Sequence, residues 1–455
     1  MNPMQIPRLL FPFLAWTLAA ILPAAAQTPS PDEALAKSLT LQLAAKQFDA
    51  IVAHFDPTMT AAMPPAKLAQ SWDAITAQTG SFQSIEAVTA QTVQGYQVEI
   101  VTTQFAHAKL ALKWVFDAQG RVAGFFAAPA QESAPWTPPA YADPATFHEQ
   151  PATVGTAPWQ LDGTLTLPNG KGPFPAVVLV AGSGPNDQNE TIEANKPFKD
   201  LAWGLASRGI AVLRYNKRTR QYGKQIAASD AGFTVNQETV DDARSAVSLL
   251  AANSAIDPHR IFVCGHSLGG MMAPRIAQGD AQVAGLVILA GPTRPMEQVA
   301  AEQIRYLAAL TPPVTPEAQK QIDAIEQAAR EIESPSLQPT TEVDFLGARI
   351  PGSYFLDLRN YHPAEVAATL KIPMLILRGE RDYQVTAADE QGWKKALAGR
   401  HDVTFIDYPG LYHLFMPSVS PGNGPGTPAD YQKPQHVAQP VIDDIAKWIA
   451  AHPRH

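Results

Sequence analysis

An α/β fold with a mostly parallel sheet, preceded by a small α+β unit, is what this 455-residue sequence predicts, on three observations. From Trp159 onward, short β-branched runs alternate with helix-length segments, the pattern of parallel strands joined by helical crossovers. Residues 27–130 have another order, with helical spacing first and closely spaced strand-like runs after it. Between the two lies a Pro-rich stretch, 131–158, read as a semi-rigid linker. Composition agrees with a folded chain, since 46% of residues are hydrophobic and only 17% charged. A formal net charge of -8 without a long Lys/Arg run argues against nucleic acid as a partner. The single cysteine, Cys264, excludes an intrachain disulfide and any multi-cysteine metal site.

Taken in order, residues 1–26 read as an export signal. Met1 to Arg8 is mildly basic, Leu9 to Leu22 is apolar, and Ala24-Ala25-Ala26 precedes Gln27. The apolar run contains Pro12 and falls short of the ~20 residues that cross a bilayer. The expectation is a secreted or periplasmic protein, cleaved near Ala26/Gln27, with no membrane span.

In the small unit, Leu35, Leu39, Leu43, Phe48, Ile51 and Phe55 recur at helical spacing up to Pro57. A second helix is expected from Pro65 to Gln78. Strands are expected at 82–93, 96–105, 109–116 and 122–126, with Gly95 and Gly120 at turns. In the large unit strands are expected at 176–180, 210–214, 260–264, 285–289, 373–377 and 403–407. The gap between Leu289 and Pro373 is too long for one crossover and carries two charged helical patterns, 296–310 and 316–333. An insertion there, about 291–365, reads as a helical lid.

The strand 260–264 runs into Gly265-His266-Ser267-Leu268-Gly269, followed by a segment with helical potential. G-x-S-x-G in a strand-to-helix turn holds a serine exposed and strained, with the next N–H pointing to the same place. Ser267 is the candidate nucleophile.

Here the chain resembles the α/β-hydrolase family, in its branch of secreted serine esterases with an additional amino-terminal domain. The resemblance rests on Gly265–Gly270, on Ala181-Gly182-Ser183-Gly184-Pro185-Asn186-Asp187 and on two downstream pieces, and spans about 159–452 of a domain drawn at 159–455. Residues 27–130 resemble DUF3887, a small domain of unknown role similar to the NTF2-like cone.

The resemblance implies a serine, then an acid, then a histidine in chain order. Asp382, in Gly379-Glu380-Arg381-Asp382-Tyr383-Gln384-Val385, matches the acid, with Glu380 as its rival. His413, after the last strand in Gly410-Leu411-Tyr412-His413, matches the base; His259, His401 and His436 fall at the wrong places along the chain. A hole for the developing oxyanion needs two preset donors, and Leu268 N–H with Ser183 N–H is the expected pair. Gly182, Gly184, His266, Arg214 and Tyr215 are candidates for the substrate pocket. The run Arg214–Arg218 either lines that pocket or braces the oxyanion loop.

This chemistry needs no metal and no cofactor. The implied reaction is hydrolysis of small to medium acyl esters through an acyl-enzyme, so the partner is a small-molecule ester. Two other readings stand beside it. One is a serine aminopeptidase-like amide hydrolase, with Glu297, Glu302 or Glu326 of the lid holding a substrate amine. The other is an envelope-binding module with a vestigial hydrolase. The small unit is also a candidate homodimer surface.

Overall fold

The computed structural model describes residues 31–93, 96–130, 136–227 and 232–452. The leader read at 1–26 and its cleavage point lie outside the described residues, as does 131–135 of the Pro-rich stretch.

The small domain begins with helices Pro31–Ala44, Phe48–Val52, Pro57–Ala62 and Pro65–Thr79. Pro57 starts its helix where an N–H would lack an intrahelical partner anyway, and the Asp56 carboxylate caps the turn by accepting from Met59 N at 2.6 Å. Strands β1 (Phe82–Val93), β2 (Tyr96–Phe105), β3 (Lys109–Phe116) and β4 (Val122–Pro129) follow as an antiparallel meander, neighbouring in sequence order. Because strand side chains alternate between faces, one face carries Val101, Phe105, Leu112, Trp114 and Phe116. The helices press Leu39, Leu43, Ile51, Leu68 and Trp72 onto it. The Trp114 indole N–H, which burial would otherwise strand, donates to Thr40 Oγ1 at 2.9 Å.

The large domain contains β5 (Phe147–Val154), β6 (Leu161–Pro168), β7 (Phe174–Val180), β8 (Ala211–Tyr215), β9 (Ile256–His266), β10 (Val283–Leu289), β11 (Glu342–Phe345), β12 (Ala348–Pro351), β13 (Met374–Gly379) and β14 (Val403–Tyr408). Eight of these form one sheet in the order β14-β13-β10-β9-β7-β8-β6-β5. Its pairs are parallel from β8 through β14 and antiparallel where β6 meets β8 and β5. Helices cover both faces, so adjacent strand residues are all buried: Val178 and Val180 face one apolar layer, Val177 and Leu179 the other.

The stretch read as a linker, 131–158, thus contains β5. Its proline, Pro151, obscures the strand pattern in sequence, and it is tolerated because β5 is the sheet's outermost strand. The same stretch is tied down at Trp136. Its indole N–H donates to Asp200 Oδ1 at 2.8 Å, its ring meets Trp203 edge-on, and Lys199 Nζ lies 4.1 Å above it. Asp200 also takes His436 Nδ1 at 3.0 Å and Val437 N–H at 3.0 Å, just before the final helix Gln439–Ala451.

The insertion between β10 and β13 holds the two expected helices, Met296–Ala309 and Pro316–Glu333. It also holds the β11–β12 hairpin and short helices at Gly352–Leu358 and Pro363–Thr369, which the sequence reading did not separate. The first lid helix is bolted to the sheet edge. Tyr306 stacks on Tyr383 with ring centroids 5.3 Å apart and donates its hydroxyl to Gly426 O at 2.9 Å, and Gln303 Nε2 donates to Gln384 O at 3.1 Å.

Candidate active site

Three turns at the carboxyl ends of parallel strands build the site. The first joins β9 to the helix Leu268–Ala277. Ser267 sits there at φ 52° and ψ -116°, a left-handed conformation that costs a non-glycine residue about 1–3 kcal/mol. The surrounding glycines make the turn feasible. A Cβ on Gly265 would lie 2.1 Å from Gly269 O, and one on Gly269 would lie 2.1 Å from Val180 O. Ser267 is the one residue between Ile261 and Gly270 that is not fully buried. Among the described residues its Oγ makes no hydrogen bond. Such contacts commonly tighten only with substrate in place.

The second and third turns follow β13 and β14. Asp382 is buried; its Oδ1 accepts from Gln384 N at 2.7 Å and Val385 N at 3.0 Å, and its Oδ2 meets His413 Nδ1 at 2.6 Å. That bond leaves His413 Nε2 as the free edge of the ring. Glu380, the rival acid, is exposed to solvent. His436 is bonded to Asp200 instead.

The loop after β7 comes up against the serine: a Cβ on Gly182 would sit 3.1 Å from Ser267 Cβ. Ser183 and Gly184 are exposed, and Gly184 takes φ 90°. Gly182 itself is clamped at both ends. Its N–H donates to Glu190 Oε1 at 2.7 Å, and its carbonyl accepts from Lys217 Nζ at 2.7 Å and Asn186 Nδ2 at 3.1 Å. Lys217 is buried and pairs with Glu238 at 3.0 Å. The clamp fixes the Gly182 peptide plane, and with it the direction of the N–H that follows. Leu268 opens its helix, where an N–H lacks an intrahelical acceptor.

The remaining predicted residues fall in different places. His266 lies beneath the site, between Glu190 and the His413 carbonyl. Arg214 is buried against Glu149 at 2.6 Å, and Tyr215 packs into the apolar layer, where burial pushes its phenol pKa up. Of the run Arg214–Arg218, Lys217 and Asn216 touch the loop and brace it, Asn216 Oδ1 by accepting from Gln188 N–H at 2.9 Å. Burial also pushes up the Cys264 thiol, as in an inert structural cysteine. The sequence reading did not single out Glu190. It lies in a polar loop without periodicity, eight residues past Gly182, and only the folded loop shows what its charge faces.

Comparison with known proteins finds two family models along the chain. A family model described as a protein of unknown function (DUF3887) matches residues 36–125, and one described as serine aminopeptidase, S33, matches residues 191–417. Esterase EstD of Thermotoga maritima is 37% identical over 407 residues, covering 90% of this chain and 92% of that protein. Among solved structures, Est1E from Butyrivibrio proteoclasticus is 15% identical at a TM-score of 0.45, covering 66% of this chain and 98% of that one. An esterase of Pyrococcus furiosus is 14% identical at a TM-score of 0.43, covering 71% of this chain and 97% of that one. With a relative so similar along nearly its whole length, the chain belongs to the α/β-hydrolase family, as a serine esterase that carries an amino-terminal DUF3887 domain.

Proposed function

We propose that the protein is exported and hydrolyses small to medium carboxylic esters through an acyl-enzyme on Ser267. The observation that carries the reading is the 2.6 Å bond between His413 Nδ1 and Asp382 Oδ2, beside a serine held in a strained, accessible turn. Asp382 fixes the ring so that Nε2 faces outward as the base. Ser267 Oγ attacks the ester carbonyl carbon while its proton passes to His413 Nε2. The carbonyl oxygen, now negative, is met by the N–H groups of Leu268 and Ser183. Collapse of the intermediate breaks the bond to the alcohol, which leaves with the proton from His413. Water then attacks the acyl-serine, giving its proton to His413, and the acid departs as Ser267 regains a hydrogen.

An ester is favoured over an amide with a free amine by the state of the lid carboxylates. Glu302 is paired with Arg294 at 2.5 Å and Glu326 with Arg305 at 2.7 Å, while burial raises the pKa of Glu297 and disfavours its charge. Glu302 and Glu326 thus offer no unpaired anion to an ammonium group, and burial weakens Glu297 as one.

The test is hydrolysis of p-nitrophenyl esters from acetate to laurate by the mature protein and its Ser267→Ala variant, with an amino-acid p-nitroanilide alongside. Ester turnover in the parent should fall by at least about 10³-fold in the variant. Anilide turnover exceeding ester turnover would replace the esterase with the amide reading. Activity that survives in Ser267→Ala would remove the triad.

A further inference from the structure

We propose that His266 is a positioning residue held as an imidazolium, and that the Glu190–His266 pair ties the Gly182 loop to the loop carrying His413. Its meaning for catalysis rests on the proposed roles of Ser183 and His413; its protonation chemistry does not.

His266 Nδ1 lies 3.0 Å from Glu190 Oε1, and Nε2 lies 3.0 Å from the His413 carbonyl oxygen. A neutral imidazole offers one N–H and one lone pair, whereas the imidazolium offers two N–H groups. A carbonyl cannot donate, so Nε2 must carry a hydrogen. The other side then has two options: a proton on Nδ1 facing a carboxylate, or a proton on Oε1 facing bare Nδ1. Gly182 N–H already donates to that same Oε1 at 2.7 Å. A hydrogen bond to the oxygen favours its charged form, and so selects imidazolium with carboxylate.

The surroundings support that choice. Burial alone disfavours a charged ring, but the Glu190 charge, its hydrogen bond and the His413 carbonyl outweigh it, and the pKa of His266 rises above its ordinary value. A small pocket behind the pair is walled by Phe198, Leu201, Leu289, Leu414 and Phe415, and such apolar walls strengthen the attraction. Glu190 reaches its position only by taking φ 50°, the kind of local strain that persists where a side chain must be placed.

The pair also has an electrostatic role. The rings of His266 and His413 lie 4.6 Å apart between centroids. A lone cation there would oppose the charge that His413 acquires during catalysis. Glu190 cancels it from one side, Asp382 acts on it from beyond His413, and Lys217 lies across the Gly182 carbonyl. Because the pKa of His266 is raised on folding, its contribution is full below the ordinary histidine value of about 6.5 and is lost as pH rises through the folded-state value.

The test uses the full mature chain labelled with ¹⁵N-histidine. Ring ¹⁵N–¹H spectra are followed from about pH 5 to 9, and His266 is assigned through its loss in His266→Gln. Two protonated nitrogens near neutral pH, losing one proton at lower pH in Glu190→Gln than in the parent, are the expected result. One bare nitrogen throughout would overturn the proposal. The second readout is the pH profile of ester hydrolysis by Glu190→Gln. We expect kcat about 10- to 100-fold lower, KM within about twofold, and the alkaline limb moved to lower pH. An unmoved limb would overturn the coupling, since a variant damaged only in stability loses active protein without shifting it. Should Glu190→Gln fail to fold, the parent spectra still decide the charge state. They are also independent of Ser267→Ala, so failure of the esterase reading is distinguishable from failure of this one.

Discussion

The two domains bury different chemistry. In the small domain the core is Leu39, Leu43, Trp72, Phe105, Trp114 and their neighbours, with hydroxyls such as Thr40 and Thr103 engaged locally. The large domain has a bigger apolar core and yet buries Glu190, Lys217, Glu238, His266, Asp382 and His413 around one edge of its sheet. Burying charge is costly unless it is paired, and here the pairs converge on the turns that hold Ser267, Gly182 and His413. The contrast teaches that the small domain's buried residues are mostly apolar, Asp32 and Glu99 aside, while the large domain accepts electrostatic cost where geometry must be fixed.

Substitutions can break or sharpen that contrast. The largest effect is expected from Asp382→Asn, which leaves the fold in place but allows the wrong His413 tautomer. Ester kcat should fall about 10⁴-fold, read by initial rates, with thermal unfolding little changed. Next is Lys217→Met, which strips Glu238 of its counter-charge and Gly182 O of its donor. We expect about 3–5 kcal/mol of lost stability in denaturant titrations, together with lower kcat. Trp114→Phe in the small domain forfeits one buried hydrogen bond and some packing area. It should cost about 1–2 kcal/mol in the transition that reports this domain and leave kcat per folded molecule unchanged. A kcat loss there would erase the distinction between the domains. At the small end, Glu380→Gln should alter neither melting nor turnover, because the side chain is exposed. A fall in activity comparable with Asp382→Asn would show that the acid role had been given to the wrong carboxylate.

Much of this was legible from sequence where side chains follow a simple period. The strands at 82–93, 96–105 and 109–116 are found as expected, and so is the lid helix Pro316–Glu333. The serine turn was legible because its glycines answer to local sterics: Gly265 and Gly269 have no room for a Cβ. β5 was hidden because edge position, a tertiary property, is what makes Pro151 acceptable. β6 was missed as well; it pairs antiparallel beside β5, in a stretch that follows the same prolines. Glu190 and Lys217 act across separations of 8 and 35 residues on the two peptide groups that flank the Gly182 Cα. No periodicity records such a contact. A charged residue in a loop gives no sign of whether it meets water or a backbone amide until the loop is folded.

Asp200 carries a consequence for how this molecule can be cut and rejoined. It grips Trp136, where the chain enters the catalytic unit, and His436 and Val437, where it departs for the last helix. The entry is thus a neighbour of the start of the last helix, whose own end, where Arg260 donates to Ile449 O, lies about 20 Å further along its axis. The linear order of the segments is then separable from their spatial order. Joining the end of the last helix to the entry through a linker long enough to run back along it, and opening new ends in the exposed turn 311–315 between the two lid helices, yields a circular permutant with the same eight-stranded sheet. In such a molecule the small domain could be moved to the opposite end of the gene without disturbing the turns that hold the serine, the acid and the histidine.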